Sequence, residues 1–348
     1  MFEGKNIMYY AFAVGLIIVA NYVGQQFKQQ FINEHNDDSE LIQKFLLNDS
    51  PMYGLNKPKI WVHTKYELNA RQWKDFMSRN NYNLNMPYIH YTIQSIVDNN
   101  HNDFHICLID DDSFSKLIPG WDADVTNMPE PMKSYFREIG LLSLIHIYGG
   151  MIVPDSFLCM KPLINFYKEG TSYKRPFVCE HTNRTTNLAE QKHKLLFIPD
   201  PYFCGCLKAD PTISEFIDYL KKQTKKFDFT EQRTFVGDTS QWCIRAIDDG
   251  KMNIILGQRI GIKTYKRKTI LLEELFEERI LDLDTSCVGI YIPEDDILNR
   301  PKFSWFAYLS KEDILKVNII LIKYLRTAIS KSNDFYFTEK EPRNVITL

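Results

Sequence analysis

The chain lacks a strong net charge. Its 42 Lys and Arg residues nearly balance its 44 Asp and Glu residues, which leaves a formal charge of −2 over 348 residues. A protein that binds nucleic acid through its overall field carries a clear excess of basic residues. The balance therefore argues against nucleic acid as a partner, although it leaves room for a local basic patch. With 44% hydrophobic residues, the chain can bury a large core, which argues against disordered and fibrous classes.

The chain also lacks a disulfide framework. Its seven cysteines are scattered, and most have apolar neighbours, where a thiol behaves as a small hydrophobic group. One residue separates Cys204 from Cys206, whereas zinc and redox motifs have a two-residue gap. We therefore predict structural thiols rather than metal or redox chemistry. The odd count leaves at least one thiol unpaired even in an oxidising compartment.

Long apolar runs are absent apart from one near the N-terminus. Ile7 to Val23 is uncharged, and its length is near the lower limit of the about 17–25 residues that span a bilayer as a helix. No clean cleavage site follows it, which favours an uncleaved signal anchor over a cleavable signal peptide. We predict an anchor at residues 1–24, a polar stalk at 25–56 and a globular body at 57–348. Lys5 precedes the span and acidic residues follow it, so the positive-inside bias favours a single-pass type II membrane protein with its body on the translocated, lumenal or external side.

The body has no internal repeat, and short β-rich runs alternate with amphipathic stretches of helix length. This alternation predicts an α/β fold in which helices flank a mixed sheet. The predicted strands are Lys59–His63, Phe104–Ile109, Met151–Val153, Phe177–Glu180, Phe203–Leu207 and Asn253–Leu256. The predicted helices are Ala70–Arg79, Tyr88–Asp98, Pro131–Ile147, Ile213–Lys222, Ser240–Asp248 and Ile314–Ile329.

The predicted helix that leads to Tyr148 is the most informative element. Its later part, FREIGLLSLIHIY, is apolar almost all round, so we expect it to lie in the interior. Arg137 and Glu138 are the only formal charges in this stretch, and either a structural salt bridge or a substrate contact explains them. Gly149 follows at the position where a left-handed C-cap is favoured.

Three segments carry a resemblance to one family. They are PKIWVH at Pro58–His63, FHICLIDDD at Phe104–Asp112, and YGGMIVPDS at Tyr148–Ser156, the last followed by Lys161-Pro-Leu163. Together they resemble the glycosyltransferases related to capsular-polysaccharide and Och1-type enzymes, most clearly from Pro58 to Leu163. The resemblance implies a GT-A-like (Rossmann-like) fold, a nucleotide-sugar donor, a glycan or other hydroxyl acceptor, and retention of anomeric configuration. It also implies Mn²⁺ or Mg²⁺, held on the donor diphosphate by an Asp-x-Asp motif.

The chain departs from that motif. In an alignment on Tyr-Gly-Gly, the two Asp positions of the family fall on Pro154 and Ser156, so Asp155 is the only carboxylate of the tripeptide. Mn²⁺ and Mg²⁺ prefer hard oxygen ligands, so this tripeptide does not build a conventional two-carboxylate site. The family's Asp-x-x-Arg on the preceding helix falls on Glu138 and Leu141.

The predicted site combines the resemblance with the chemistry of the residues. Asp155 is the predicted catalytic residue and the predicted ligand of any metal. The predicted donor-binding residues are His63, Arg137, Gly149, Gly150, Asp155, Ser156, Lys266 and Arg267, and the predicted acceptor-binding residues are Glu180, Asp238 and Trp242.

Two charged runs have open alternatives. The basic run, Arg259 to Lys268, either neutralises the donor diphosphate or is a solvated loop before an acidic helix at Glu273–Glu278. The acidic run, Asp110 to Asp112, resembles a metal cluster, but we predict a solvated first turn of a helix, where carboxylates are favoured.

Two functions follow from these predictions. The first is a hexosyltransferase that works with an altered or absent metal. The second is a glycosyltransferase-like fold that has lost catalysis and persists as a membrane-anchored binding or structural protein. The abundance of Asn, Ile and Lys is compatible with an AT-rich genome, such as that of a large DNA virus.

Overall fold

The computed structural model describes residues 57–64, 86–129, 132–182, 197–224 and 232–336, with the backbone alone for 232–238 and 330–336. These residues belong to one unit, Leu46–Leu348. The predicted anchor and stalk, residues 1–56, and the predicted helix Ala70–Arg79 lie outside the described residues. Within the described ranges, no helix is long and apolar enough to cross a bilayer.

Strands and helices alternate along the first half of the body, and helices dominate its C-terminal part. The strands are β1 Lys59–His63, β2 His105–Ile109, β3 Gly150–Ile152, β4 Phe157–Cys159, β5 Phe177–Glu180, β6 Pro199–Cys206, β7 Asn253–Ile255 and β8 Gly289–Tyr291. The helices are α1 Tyr88–Asn100, α2 Ser113–Leu117, α3 Met132–Tyr148, α4 Ile164–Gly170, α5 Pro211–Thr224, α6 Gln232–Asp248, α7 Leu272–Leu275, α8 Glu294–Asn299, α9 Ser304–Ala307, α10 Lys311–Ile314 and α11 Ile320–Tyr336.

Six strands form the main sheet in the order β2-β1-β3-β6-β5-β7. β1 is parallel to both β2 and β3, and β5 is parallel to β7, while β6 is antiparallel to both of its neighbours, β3 and β5. Five strands therefore share one direction, and β6 alone runs against them. Their C-terminal ends and the start of β6 meet at one side of the sheet, which we call the carboxyl edge.

Helices pack on both faces of this sheet. On one face, α3, α5 and α6 cover a core that includes Trp61, Cys204 and Phe216. On the other face, Phe203 of β6 contacts Phe166 of α4 and Phe157 of β4. β4 pairs with β8 in a separate antiparallel ribbon. Burial of large aromatic side chains on both faces fixes the sheet between two helical layers.

The predicted α/β class, a mixed sheet flanked by helices, is confirmed. β1 and β5 have the predicted bounds. β6 begins at Pro199, before the predicted Phe203, because Pro199 and Asp200 pair with Glu180 and Cys179 of β5. A missing N–H is tolerated at the start of a strand, so Pro199 does not prevent this pairing. The predicted C-terminal helix is two helices, α10 and α11. All seven thiols are free and buried, in agreement with the predicted structural role.

Candidate functional site at the carboxyl edge

The carboxyl edge collects residues that are far apart in the sequence. His63 ends β1, Asp110–Asp112 follow β2, Pro154–Ser156 follow β3, Glu180 ends β5, and Asp200 lies near the start of β6. The chain passes from β1 to β2 on one side of β1 and returns to β3 on the other side. In open α/β sheets, ligands bind beyond the carboxyl ends of the strands where the strand order reverses in this way. The carboxyl edge beside β1 is therefore the candidate functional site.

Asp111 organises the β1–β2 end of this edge. Its carboxylate accepts hydrogen bonds from Arg137 Nε at 2.8 Å and from Arg137 Nη2 at 2.7 Å, and His63 Nε2 lies 3.0 Å from Oδ1. Burial raises the pKa of the Asp111 carboxyl, but the hydrogen bonds from His63 and Arg137 outweigh it and hold that pKa well below its ordinary value. We call these three residues the Asp111 cluster. It brings together two predicted donor-binding residues, His63 and Arg137.

The other two acids of the Asp110–Asp112 run face different partners. Asp110 Oδ1 accepts the backbone N–H of Ser113 at 2.9 Å, at the start of α2, and Asp112 Oδ1 accepts the hydroxyl of Thr126 at 2.9 Å. These contacts suit the predicted first turn of a helix. Asp111 does not fit that prediction, because its side chain forms an ion pair with Arg137 instead of facing solvent.

Gly149 and Gly150 form a sharp corner between α3 and β3. Their φ angles are +76° and +100°, and the Gly149 N–H donates to the carbonyl of Ile145 at 2.8 Å, which completes the predicted left-handed cap. A Cβ on Gly150 would lie 2.2 Å from the carbonyl oxygen of Lys59 in β1. The corner thus brings the start of β3 against the start of β1 at a distance that only glycine permits. These two predicted donor-binding residues therefore lie at the opposite end of the sheet from the carboxyl edge.

Asp155 lies in a buried turn after β3. Asp155 is 8% exposed, and its backbone carbonyl accepts a hydrogen bond from the hydroxyl of Thr92 at 2.5 Å. The adjacent Ser156 is also buried, and its carbonyl accepts the N–H of Ile292, beyond β8. Burial, followed by the charges of Asp200 and Glu294, raises the pKa of the Tyr291 hydroxyl, and the charge of Asp155 makes a smaller contribution in the same direction. The predicted catalytic residue therefore lies at the carboxyl edge, largely enclosed by α1 and the β4–β8 ribbon.

In the part of the chain that the structure describes, no three His, Cys, Asp or Glu side chains are placed to hold one ion. Pro154–Ser156 carries a single carboxylate, that of Asp155, so this tripeptide does not by itself build the two-carboxylate Mn²⁺ or Mg²⁺ site that the resemblance implies. No step below depends on a metal.

Two acids that the sequence patterns do not connect, Glu138 and Asp200, lie in the middle of the carboxyl edge. Glu138, next to Arg137 on α3, is 7% exposed, and burial, followed by the charge of Asp200, raises its pKa to about 8. Asp200 is 1% exposed and accepts the N–H of Tyr202 and the hydroxyl of Tyr291, each at 3.0 Å. We call these two acids the Glu138–Asp200 pair. Burial raises the pKa of Asp200 as well.

Two of the predicted acceptor residues, Glu180 and Trp242, have structural partners. Glu180 is buried, forms an ion pair with Lys263 and accepts the N–H of Gly257 at 2.9 Å. Trp242 stacks on Phe216 with ring centroids 4.3 Å apart. Asp238 is in α6, where the structure describes its backbone alone. Glu180 is at the carboxyl edge, where it ends β5.

Most of the basic run is already paired. Besides the Lys263 ion pair, Arg259 pairs with Glu169 at 2.8 Å and Lys268 with Glu274 at 2.9 Å. Lys266 and Arg267 are exposed at the tip of a hairpin, where Arg267 has a φ of +63°. A cavity of about 180 Å³ beside this hairpin has mixed charge. Its charged lining residues are Lys266, Lys268, Glu274, Glu277, Arg279 and Asp282.

Comparison with protein-family models, with curated proteins and with solved structures gave no match to this chain.

Proposed function

We propose that the body is a GT-A-like glycosyltransferase that transfers a sugar, with retention, from a nucleotide donor to a hydroxyl of a glycan or glycoconjugate. One observation carries the proposal: His63 and Arg137 converge on Asp111 at the carboxyl edge, and Asp155 follows β3 at the same edge, beside the strand where the chain order reverses. The resemblance of the motifs puts donor recognition on these same residues. We propose further that residues 1–24 anchor this body on the translocated side of a membrane.

The chemistry requires stabilisation of the negative charge that develops on the departing diphosphate. At the described edge, Arg137 supplies a fixed cation and Asp111 sets its orientation through two hydrogen bonds. Asp155, whose backbone carbonyl accepts the Thr92 hydroxyl and whose side chain is largely enclosed, positions the donor. Rigid placement of such groups is what accelerates a transfer reaction, because the site does not reorganise when charge develops.

The test is a panel of nucleotide sugars with the full-length chain, with and without Mn²⁺, read out as binding and as release of nucleoside diphosphate. Asp155→Asn keeps the shape of the side chain, and we expect it to lower kcat/KM by about 100-fold, in the range found when one preorganised polar group is removed. Asp112→Asn is the matched control, because Asp112 contacts Thr126 at the surface. Equal rates for wild type and Asp155→Asn, or no binding across the panel, would overturn the proposal.

A second candidate is a catalytically inactive, membrane-anchored binding or structural protein. It is favoured by the enclosure of Asp155 and by the commitment of Arg137 to Asp111 and of Lys263 to Glu180. A bidentate carboxylate partner already neutralises the cation that a diphosphate needs. This candidate predicts a stable fold that neither binds nor hydrolyses any nucleotide sugar of the panel.

A further inference from the structure

A small cavity lies beside the hairpin that is closed by the bridge between Lys263 and Thr269. Its volume is about 180 Å³, and its wall consists of residues from this hairpin and from the segment 274–282. We call it the hairpin cavity. Drug-sized ligands occupy pockets of about 300–1,000 Å³. The hairpin cavity is therefore too small for a nucleotide sugar, and a ligand that fills it is a smaller molecule.

Charges of both signs line the hairpin cavity in equal number. The basic residues are Lys266, Lys268 and Arg279, and the acidic residues are Glu274, Glu277 and Asp282. Lys268 and Glu274 form an ion pair with each other at 2.9 Å. The other four are exposed, and among the residues that the structure describes they form no ion pair. Two cations and two acids are therefore left to contact a ligand.

A ligand with a single charge does not match this lining, because two of the four side chains attract it and the other two repel it. A zwitterion matches both signs at once. Its ammonium group has three N–H donors and no acceptor, which suits the carboxylates of Glu277 and Asp282. Its anionic group faces two cations, Lys266 and Arg279, so a group with more than one negative charge suits them best.

A phosphate monoester is such a group. It carries a charge of about −1.5 to −2 at neutral pH and three strong acceptor oxygens, whereas a carboxylate or a phosphodiester carries one charge. Arg279 has the planar fork of donors that binds two phosphate oxygens at once, and Lys266 adds a point charge.

The rest of the lining is apolar. Ile270 is fully buried, and Ile280 is 77% exposed. This apolar wall suits a short carbon chain that joins the two charged groups of the ligand. Contact between the chain and the wall keeps water away from the charges, and this strengthens their attraction.

We propose that the hairpin cavity binds a small zwitterion in which a short carbon chain joins a phosphate monoester to an ammonium group. Lys266 and Arg279 bind the phosphate, and Glu277 and Asp282 bind the ammonium group. The cavity shares no residue with the Asp111 cluster, so this inference goes beyond the proposed function and does not depend on it.

The experiment is calorimetric titration of the full-length chain at pH 7.5 with phosphoethanolamine and, separately, with its two halves, inorganic phosphate and ethanolamine. We expect phosphoethanolamine to bind at least about tenfold more tightly than either half, because its second contact forms within one molecule. Glycerophosphoethanolamine, a diester with one negative charge, should bind about tenfold more weakly than phosphoethanolamine. Equal binding of phosphoethanolamine and phosphate, tighter binding of the diester, or no binding of phosphoethanolamine at millimolar concentration would overturn the proposal.

Two variants separate the contacts of the two groups. Glu277→Gln should weaken phosphoethanolamine about tenfold without weakening phosphate, whereas Arg279→Gln should weaken both. A general disturbance of the fold would weaken both ligands in both variants, so the difference between the variants is the decisive readout. Glu215→Gln and Lys251→Gln, in an exposed ion pair, are the matched controls and should leave both affinities unchanged. Phosphoethanolamine that binds Glu277→Gln as tightly as wild type, or that UDP-glucose displaces, would contradict the assigned site.

Discussion

Replacement of Asp111 by Asn tests the organisation of the carboxyl edge most directly. Asn has the same shape but carries one carbonyl oxygen and one amide donor, whereas Asp111 accepts from two Arg137 nitrogens at 2.7 and 2.8 Å. One amide N–H would therefore face a guanidinium N–H. Arg137 is only 3% exposed, so water cannot replace the lost partner. Removing one partner of a buried ion pair costs about 3–5 kcal/mol, because the other charge stays buried without that partner.

The assay is urea or thermal unfolding of wild type, Asp111→Asn and the surface control Asp112→Asn. For a body of this size, we expect Asp111→Asn to lower Tm by about 10 °C, and Asp112→Asn to change the free energy of unfolding by less than about 0.5 kcal/mol. The folded pKa of Asp111 is depressed, so its contribution is fully present above the ordinary value of 3.8 and is lost as the pH falls through the folded pKa. The gap between wild type and variant should therefore be present at neutral pH and shrink in strong acid, as Asp111 takes up its proton. A variant as stable as wild type at pH 7 would refute the reasoning, because Arg137 would then not depend on Asp111.

Three further outcomes follow from the described contacts. Burial raises the pKa of Glu138 in the folded state from 4.5 to about 8. The stability that its bound proton contributes is therefore present below pH 4.5 and is lost as the pH rises through about 8. Glu138→Gln should remove a slope of about 1.4 kcal/mol per pH unit from a plot of unfolding free energy against pH between these values. Gly150→Ala, which places a Cβ 2.2 Å from a backbone oxygen, should cost more than about 4 kcal/mol or prevent folding, whereas Gly120→Ala, with a φ of +73° and nothing within 4 Å, should cost about 1–2 kcal/mol in chemical denaturation. Lys263→Met leaves a buried carboxylate without its cation and should cost about 3–5 kcal/mol, against less than about 1 kcal/mol for Lys251→Met in an exposed pair; equal losses in the two variants would contradict the burial of the first pair.

Local patterns in the sequence predict the elements that form the frame of the site. The β-rich runs predict β1 and β5 with their observed bounds, and the apolar run before Tyr148 predicts the buried α3. Gly149 is found in the predicted left-handed cap. These features depend on residues close together in the chain, so periodicity and cap chemistry are sufficient to predict them.

Local sequence patterns do not predict which charged residues pair at the site. Asp111 was expected in a solvated helix turn with its two neighbours, because no short-range pattern distinguishes the one acid that Arg137 selects. Asp200 had only a weak signal, its place between two prolines before an aromatic strand. β4 and β8 have three residues each, too few for a recognisable alternation, and their pairing joins distant segments. Side-chain direction and strand order decide these contacts, and neither is encoded within a short window.

The long sequence separations between the residues of the carboxyl edge determine how late in synthesis this edge can form. The bonds that complete the carboxyl edge join residues 26, 48, 77 and 91 positions apart, and the last of them connects Tyr291 to Asp200. Contacts between distant segments carry a loop-closure cost and form late in folding. A nascent chain that has not yet released Tyr291 from the ribosome therefore lacks the bond to Asp200, and its carboxyl edge is incomplete until β8 has been synthesised.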